Sequence, residues 1–232
     1  LVVTREGDGR ALVRCFAGCR NPAIVAALGL KMADLFSSTQ TTRAASPRRL
    51  VDTYDYRAVD GTLLGQKDRY VPKGFRWRLH SPDVGPYRLP DLIDTRTMFL
   101  TEGEKSCDRL WAMGMAATCG PGGASRWTEE WSRSLWIVGC RELIILPDND
   151  PTGHDHAERV AAITHALEVD EAIALKVLIL PGLRYNGDVV DWLDAGHNGD
   201  ELAALVAAAP TWTPERLAEE RSLLRPLAPA RF

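Results

Sequence analysis

The chain has 232 residues, 45% of them hydrophobic and 25% charged, with a net charge of −3. That balance excludes a fibrous or disordered protein and allows one substantial domain with a small appendage. Charge is uneven along the chain: five basic residues against three acidic over 1–40, eleven against seven over 41–100, and twelve against twenty-one over 101–232. A basic front suits a polyanion and an acidic back suits divalent cations.

Residues 1–36 read as two short strands meeting at Cys15-Phe-Ala-Gly-Cys19, then a helix from about Pro22 through Leu28. A Ser/Thr/Ala-rich linker is expected over 37–49. From Leu50 to Leu79 the pattern alternates around Asp60-Gly61, a hairpin signal that predicts a small, basic antiparallel β subdomain over 50–94. Over 95–209 the rhythm becomes strand, helix, strand, helix. Strands are predicted at Met98–Thr101, Met115–Cys119, Glu142–Pro147 and Ala174–Leu180, and helices near Glu104–Met113, Thr128–Leu135 and His154–Leu167. Short helices at Asp188–Asp194 and Asp200–Ala208 complete the domain, and the tail from 210 to 232 reads as peripheral. The fold class is therefore α/β, a Rossmann-like parallel sheet covered on both faces by helices.

Ligands of an open parallel sheet bind beyond the carboxyl ends of its strands, which gives weight to polar residues placed there. The first strand runs into Thr101-Glu102-Gly103-Glu104-Lys105 and the third into Asp148-Asn149-Asp150-Pro151-Thr152-Gly153. Asp148 and Asp150 alternate along an extended backbone and share a side. With Glu102 they would form an all-oxygen anionic cluster of the kind that binds Mg²⁺. The same acids precede a helix, so N-capping is the competing reading. Gly120-Pro-Gly-Gly123 is either a phosphate-approach loop or a tight turn. His154 and His156, in the first turns of the helix after the Asp pair, read as solvated positions, although they lie near enough to approach the cluster.

Glu-Gly after the first strand and Asp-x-Asp-x-x-Gly after the third resemble the signature motifs of the TOPRIM domain, found in bacterial primases, topoisomerases and certain nucleases. The match covers about Met98 to Leu193. The resemblance implies Glu102 as general acid/base or metal ligand and Asp148 and Asp150 as holders of Mg²⁺ or Mn²⁺. A further family acid falls on Asp188, with Asp191 second. Upstream, Phe75-Arg76-Trp77-Arg78-Leu79-His80-Ser81-Pro82 and Tyr87-Arg88-Leu89-Pro90 are similar to the stretch before this motif in bacterial and phage primases. That likeness implies nucleotide or DNA contacts from Arg76, Arg78 and Arg88, together with Lys105. The loop between Ser81 and Tyr87 lacks the second basic residue that primases place there.

Arg14-Cys15-Phe16-Ala17-Gly18-Cys19 resembles the closing half of the zinc ribbon that precedes primase catalytic domains. Cys15 and Cys19 would then hold Zn²⁺ only together with two ligands upstream of Leu1. A chain opening on Leu-Val-Val without an initiator Met is expected to be part of a longer polypeptide. Cys107, Cys119 and Cys140 have no partner spacing and read as core residues. Five cysteines are too few and too unevenly placed for a disulfide framework. Apolar runs such as Ile173–Pro181 fall far short of the roughly 20 residues that a membrane span needs, so a cytoplasmic protein without a membrane partner is expected. No Gly-x₄-Gly-Lys-Ser/Thr motif occurs.

Together these features predict a DNA-primase-like, Mg-dependent nucleotidyl transferase of a phage- or plasmid-type replication protein. Its partners would be single-stranded DNA, nucleoside triphosphates and a replicative helicase. The alternatives are a TOPRIM nuclease and a non-catalytic replication accessory that binds nucleotide or single-stranded DNA.

Overall fold

The structure is a computed structural model that describes residues 1–5, 11–15, 19–35 and 48–215. It divides into two compact units, Leu1–Arg49 and Leu50–Phe232. In the first unit, strands β1 (Val2–Arg5) and β2 (Ala11–Arg14) pair antiparallel with Arg5 opposite Ala11. The strands are therefore joined through 6–10, and the cysteine segment follows β2 instead of connecting the two. Helix α1 (Asn21–Ala27) packs Ile24 and Val25 with Val13 and Leu35 into a small core. The predicted linker falls mostly outside the described residues.

The second unit opens with a three-stranded sheet ordered β3 (Arg49–Arg57), β4 (Leu63–Val71), β5 (Gly74–His80). The alternation predicts a hairpin at Asp60-Gly61, and that turn forms, with Gly61 at φ 87°. A second turn between Val71 and Gly74 adds β5, which pairs antiparallel with β4. Register places Lys67 opposite Trp77 and Arg69 opposite Phe75 on one face, and Asp68 opposite Arg76 on the other. A Cβ on Gly65 would collide with the Trp77 ring and Val84, so the bare glycine lets the indole lie against the strand.

The remaining strands form a parallel sheet ordered β7 (Ala117–Thr118), β6 (Thr97–Leu100), β8 (Glu142–Ile145), β9 (Ala174–Val177). Helices α2 (Glu104–Trp111), α3 (Glu129–Ile137) and α4 (Pro151–His165) link successive strands, and α5 (Val189–Asp194) and α6 (Gly199–Ala208) follow. Alternate strand residues divide between two cores, as the pleat requires. Met98, Leu100, Leu143, Ile145 and Leu175 face α3 and α4. Phe99, Ile144 and Ala117 face α2, α5 and α6, where Tyr54 and Tyr56 of β3 also insert. Near-continuous apolar strands buried on both faces are the expected signature of this layering. The fold is thus a helix-flanked parallel sheet with an added antiparallel sheet docked on one face.

The tail is less peripheral than its composition predicts. Trp212 is buried, its backbone N–H donates to the Leu175 carbonyl at 2.7 Å and its indole N–H to Glu158 at 2.8 Å. It satisfies a carbonyl that edge strand β9 would otherwise expose, and residues 216–232 lie outside those described.

Candidate active site

Three adjacent strand ends deliver the site. Leu100 and Ile145 are in register across β6 and β8, so the residues just beyond them, Glu102 and Asp148, emerge side by side. β7 ends beside β6 and runs into the glycine-rich turn 120–123. The Asp148 backbone N–H donates to Glu102 Oε1 at 3.1 Å, fixing one carboxylate against the backbone of the other. Gly153 completes the fit, because a Cβ there would collide with both Glu102 Oε1 and the Asp148 carbonyl. The glycine of the Asp-x-Asp-x-x-Gly pattern is therefore a spatial requirement of Glu102, 51 residues away in sequence.

These strand ends and β4 and β5 surround a cavity of about 460 Å³, lined by Glu102, Glu104, Lys105, Asp148 and Asp188 on one side. Lys67, Arg69, Lys73, Tyr54 and Phe75 line it on the other, and Pro121, Gly122 and Gly123 close one end. Gly123 has φ 61°, a conformation open to glycine, and lies against the Glu102 carbonyl.

The acids perturb one another. Burial, then Glu102, Asp188 and Asp150, push Asp148 up to about 7. Burial is also the main cause raising Glu102; the Asp148 N–H opposes it, while Asp150 and Asp188 add to it. Such a set of hard oxygen donors fits a divalent cation in its chemistry. Among the described residues no three acidic, His or Cys side chains are drawn together into a metal-holding group.

Asp150 and Asp188 both serve as caps as well. Asp150 Oδ1 accepts from the Gly153 N–H at 2.9 Å, capping α4. It does not line the cavity, although its charge reaches Glu102 and Asp148. Asp188 forms a capping box with Asp191 on α5, but it also lines the cavity and approaches Ser106 Oγ at 3.4 Å. Asp191 is turned to Arg184 at 3.0 Å and to the Asp188 backbone.

Of the predicted basic contacts, only Lys105 lines the cavity. Arg78 donates to Asp68 at 2.6 Å on the opposite face of the hairpin, which Arg76 shares by register. Arg88 binds Asp108 at 2.8 Å and Asp91 at 3.0 Å, pinning the loop before β6 to α2. Lys67, Arg69 and Lys73 line the cavity, whereas Arg76 and Arg78, for which the sequence implied nucleotide or DNA contacts, lie on the other face of the hairpin. The signal was an equal one, cations two apart on adjacent strands, and only the register with Phe75 and Trp77 separates the two faces. His156 is buried with Nδ1 unpartnered, and burial pushes it down to about 4, so it is neutral. The reading of that histidine as a solvated position is corrected: Val160 and Ala161 lie on the same buried side of α4. Cys107, Cys119 and Cys140 are fully buried, as read. In the first unit, the hydrogen bond and charge of Cys15 raise the exposed Cys19 thiol, which places the two sulfurs next to each other.

No family model matches the chain, and no curated protein matches its sequence. Among solved structures it is similar to a DNA primase domain from Pseudomonas aeruginosa, with a TM-score of 0.61 and 19% identity over 76% of this chain and 55% of that one. It is similar to the E. coli primase catalytic core at a TM-score of 0.56 and 17% identity, over 76% of this chain and 62% of that one. The zinc-binding and RNA polymerase domains of Aquifex aeolicus primase match at 0.56 and 16%, over 88% of this chain and 54% of that one. The chain spans between 54% and 62% of the length of these three structures, and the likeness is one of fold. No helix among the described residues is long and apolar enough to cross a membrane.

Proposed function

We propose that this chain carries the catalytic centre of a primase-like nucleotidyl transferase of the TOPRIM type, synthesising RNA primers on single-stranded DNA within a phage- or plasmid-type replication protein. The observation that carries the reading is the cavity at the strand ends of a primase-like fold. One wall is carboxylate (Glu102, Asp148, Asp188), the other is cationic (Arg69, Lys73), and a glycine turn lies between them. Nucleoside triphosphates need both kinds of wall, since their phosphates take cations directly and bridge to acids through a metal.

In this reading Arg69, Lys73 and Lys105 hold the phosphate chain and the backbone of Gly122 and Gly123 permits its close approach. Asp148 and Asp188 would hold Mg²⁺ or Mn²⁺, with Asp150, which caps α4 beside the cavity, adding its negative charge to theirs; the cation when bound neutralises phosphate charge and orients the α-phosphorus. Glu102, raised by its burial, accepts the proton of the attacking ribonucleotide 3′-hydroxyl. The new bond joins that oxygen to the α-phosphorus, the α–β bridging bond breaks, and pyrophosphate leaves with the bridging oxygen. Arg76 and Arg78, exposed on the far face of the hairpin, are placed to meet a DNA backbone outside the cavity. Cys15 and Cys19 would fill two of the four positions of a zinc site, with two further ligands needed. A replicative helicase and a cytoplasmic setting go with this role.

One observation favours a second reading: the acids are not drawn into a metal-holding group, which suits a nucleotide- or DNA-binding accessory. Labelled ribonucleotides, single-stranded DNA and Mg²⁺ or Mn²⁺, incubated with the chain, separate the possibilities. Template-dependent oligonucleotides, lost in Asp148→Asn, are the expected result. Binding without synthesis would overturn the catalytic reading in favour of the accessory, and a shortened template would mark a nuclease.

A further inference from the structure

Lys67 is the most deeply buried charged lysine of the described chain, at 8% exposure. Its Nζ donates to Glu104 Oε1 at 2.6 Å and to the Pro121 carbonyl at 3.1 Å, and it lies over the Phe75 ring at 4.7 Å and the Trp77 ring at 5.7 Å. An ammonium has three N–H groups. Two have protein acceptors, the third has none among the described residues, and the residue lines the cavity.

Glu104 is shared between the lysine and a second donor. The same Oε1 accepts from Tyr56 Oη at 2.5 Å. Glu104 is also the first residue of α2, where the unpaired N–H groups of the helix start attract negative charge. One carboxylate oxygen thus serves both the ammonium and the neutral Tyr56 hydroxyl, while the third ammonium N–H stays on the cavity side without a protein acceptor among the described residues. A buried ion pair is seldom the most stable solution for a core, since apolar residues of similar volume usually serve as well or better. Lys67 and Glu104 both line the cavity, and the Pro121 carbonyl that Lys67 contacts belongs to the glycine turn at its end.

We propose that Lys67 contacts the phosphate chain of the nucleotide, at its pyrophosphate end, and that Glu104 is the positioning residue that holds the ammonium at the cavity wall. The inference rests on the nucleotidyl-transferase reading for its substrate class. It needs no bond to form or break at either residue.

The probe is inorganic pyrophosphate in the presence of Mg²⁺, its binding to the full chain followed by calorimetry across a range of salt concentrations. Lys67→Met combined with Glu104→Gln removes both charges together, strands neither, and leaves Tyr56 an acceptor. Affinity for pyrophosphate should fall about 10- to 100-fold, the range for a lost charged hydrogen bond. The dependence of affinity on salt should lessen, because one charge pair open to screening is removed. Lys67→Arg should stay within about threefold of wild type, because it keeps the charge that this range belongs to. A purely structural pair would change the melting temperature and leave the salt slope alone. A folded double variant with wild-type affinity and slope overturns the proposal, as does a wild type that binds no pyrophosphate. If the double variant does not fold, the ammonium ¹⁵N resonance of Lys67 in the wild type decides: it must move when pyrophosphate is added. A wild type that binds pyrophosphate through Lys67 but makes no oligonucleotide would sink only the nucleotidyl-transferase reading. Primer synthesis with pyrophosphate binding indifferent to Lys67 would sink only this one.

Discussion

Replacing Asp148 by Asn separates the electrostatic cost of the site from its chemistry. Asp148 is partly exposed, and burial with the charges of Glu102, Asp188 and Asp150 raises it from 3.8 to about 7. The folded state therefore keeps a proton that the unfolded chain releases near pH 4. Stability without metal falls as pH rises between about 4 and 7 and stays low above that window. Three units correspond to about 4 kcal/mol if taken whole, but solvent screening at a partly exposed carboxylate reduces this to about 1–2 kcal/mol. Asn carries no charge to be penalised. In EDTA at pH 8, Asp148→Asn should melt above wild type by roughly 2–8 °C, given about 2–4 °C per kcal/mol for a chain of this size. At pH 4 the gap should close, because Asp148 is then protonated in the folded wild type. Adding Mg²⁺ at pH 8 should raise the wild type and leave the variant nearly unmoved. Thermal melts at the two pH values, with and without Mg²⁺, measure all of this. An equal gap at pH 4 and pH 8, or a variant that responds to Mg²⁺ as wild type does, would refute the account of the acid cluster.

Gly153→Ala offers a test of opposite sign to the general rule. Alanine usually stabilises a helix over glycine by about 1 kcal/mol, whereas here its Cβ meets Glu102 Oε1 and the Asp148 carbonyl. A loss of about 1–3 kcal/mol in denaturant unfolding is expected, as for overpacked sites, together with loss of primer synthesis. Arg76→Ala combined with Arg78→Ala should leave pyrophosphate affinity unchanged, since neither lines the cavity. The same pair should lessen the salt slope of single-stranded DNA binding by about 1.4, two phosphate contacts at roughly 0.7 each, and an unchanged slope would show both to be merely solvated.

Much of the fold was legible because it depends on local chemistry. The strands and helices of the second unit lie within a few residues of their predicted places, since short apolar runs and amphipathic stretches declare themselves one element at a time. The rule that ligands gather at strand ends was enough to single out Glu102 and Asp148, and they do meet. The sequence could not say that Asp150 caps α4 and stands back from the cavity while Asp188 caps α5 and still lines it. Both are acids before helices, and the distinction lies in which helix end abuts the strand ends.

The basic wall shows the same limit more sharply. Lys67 and Arg69 on β4, and Arg76 and Arg78 on β5, are equivalent as sequence patterns, two cations spaced by two. What divides them is the pairing of β4 with β5, which puts Lys67 and Arg69 on the face shared with Phe75 and Trp77 and turned to the cavity. Register between strands is set by the packing of a whole face and the length of a turn, and a one-residue slip of β5 would bring Arg76 and Arg78 to the cavity face in place of Phe75 and Trp77. The buried contact of Lys67 with Glu104 joins residues 37 apart in sequence. Sequence alone determined which residue types could do the chemistry and which strand ends would present them; long-range pairing decided which of those residues share one cavity.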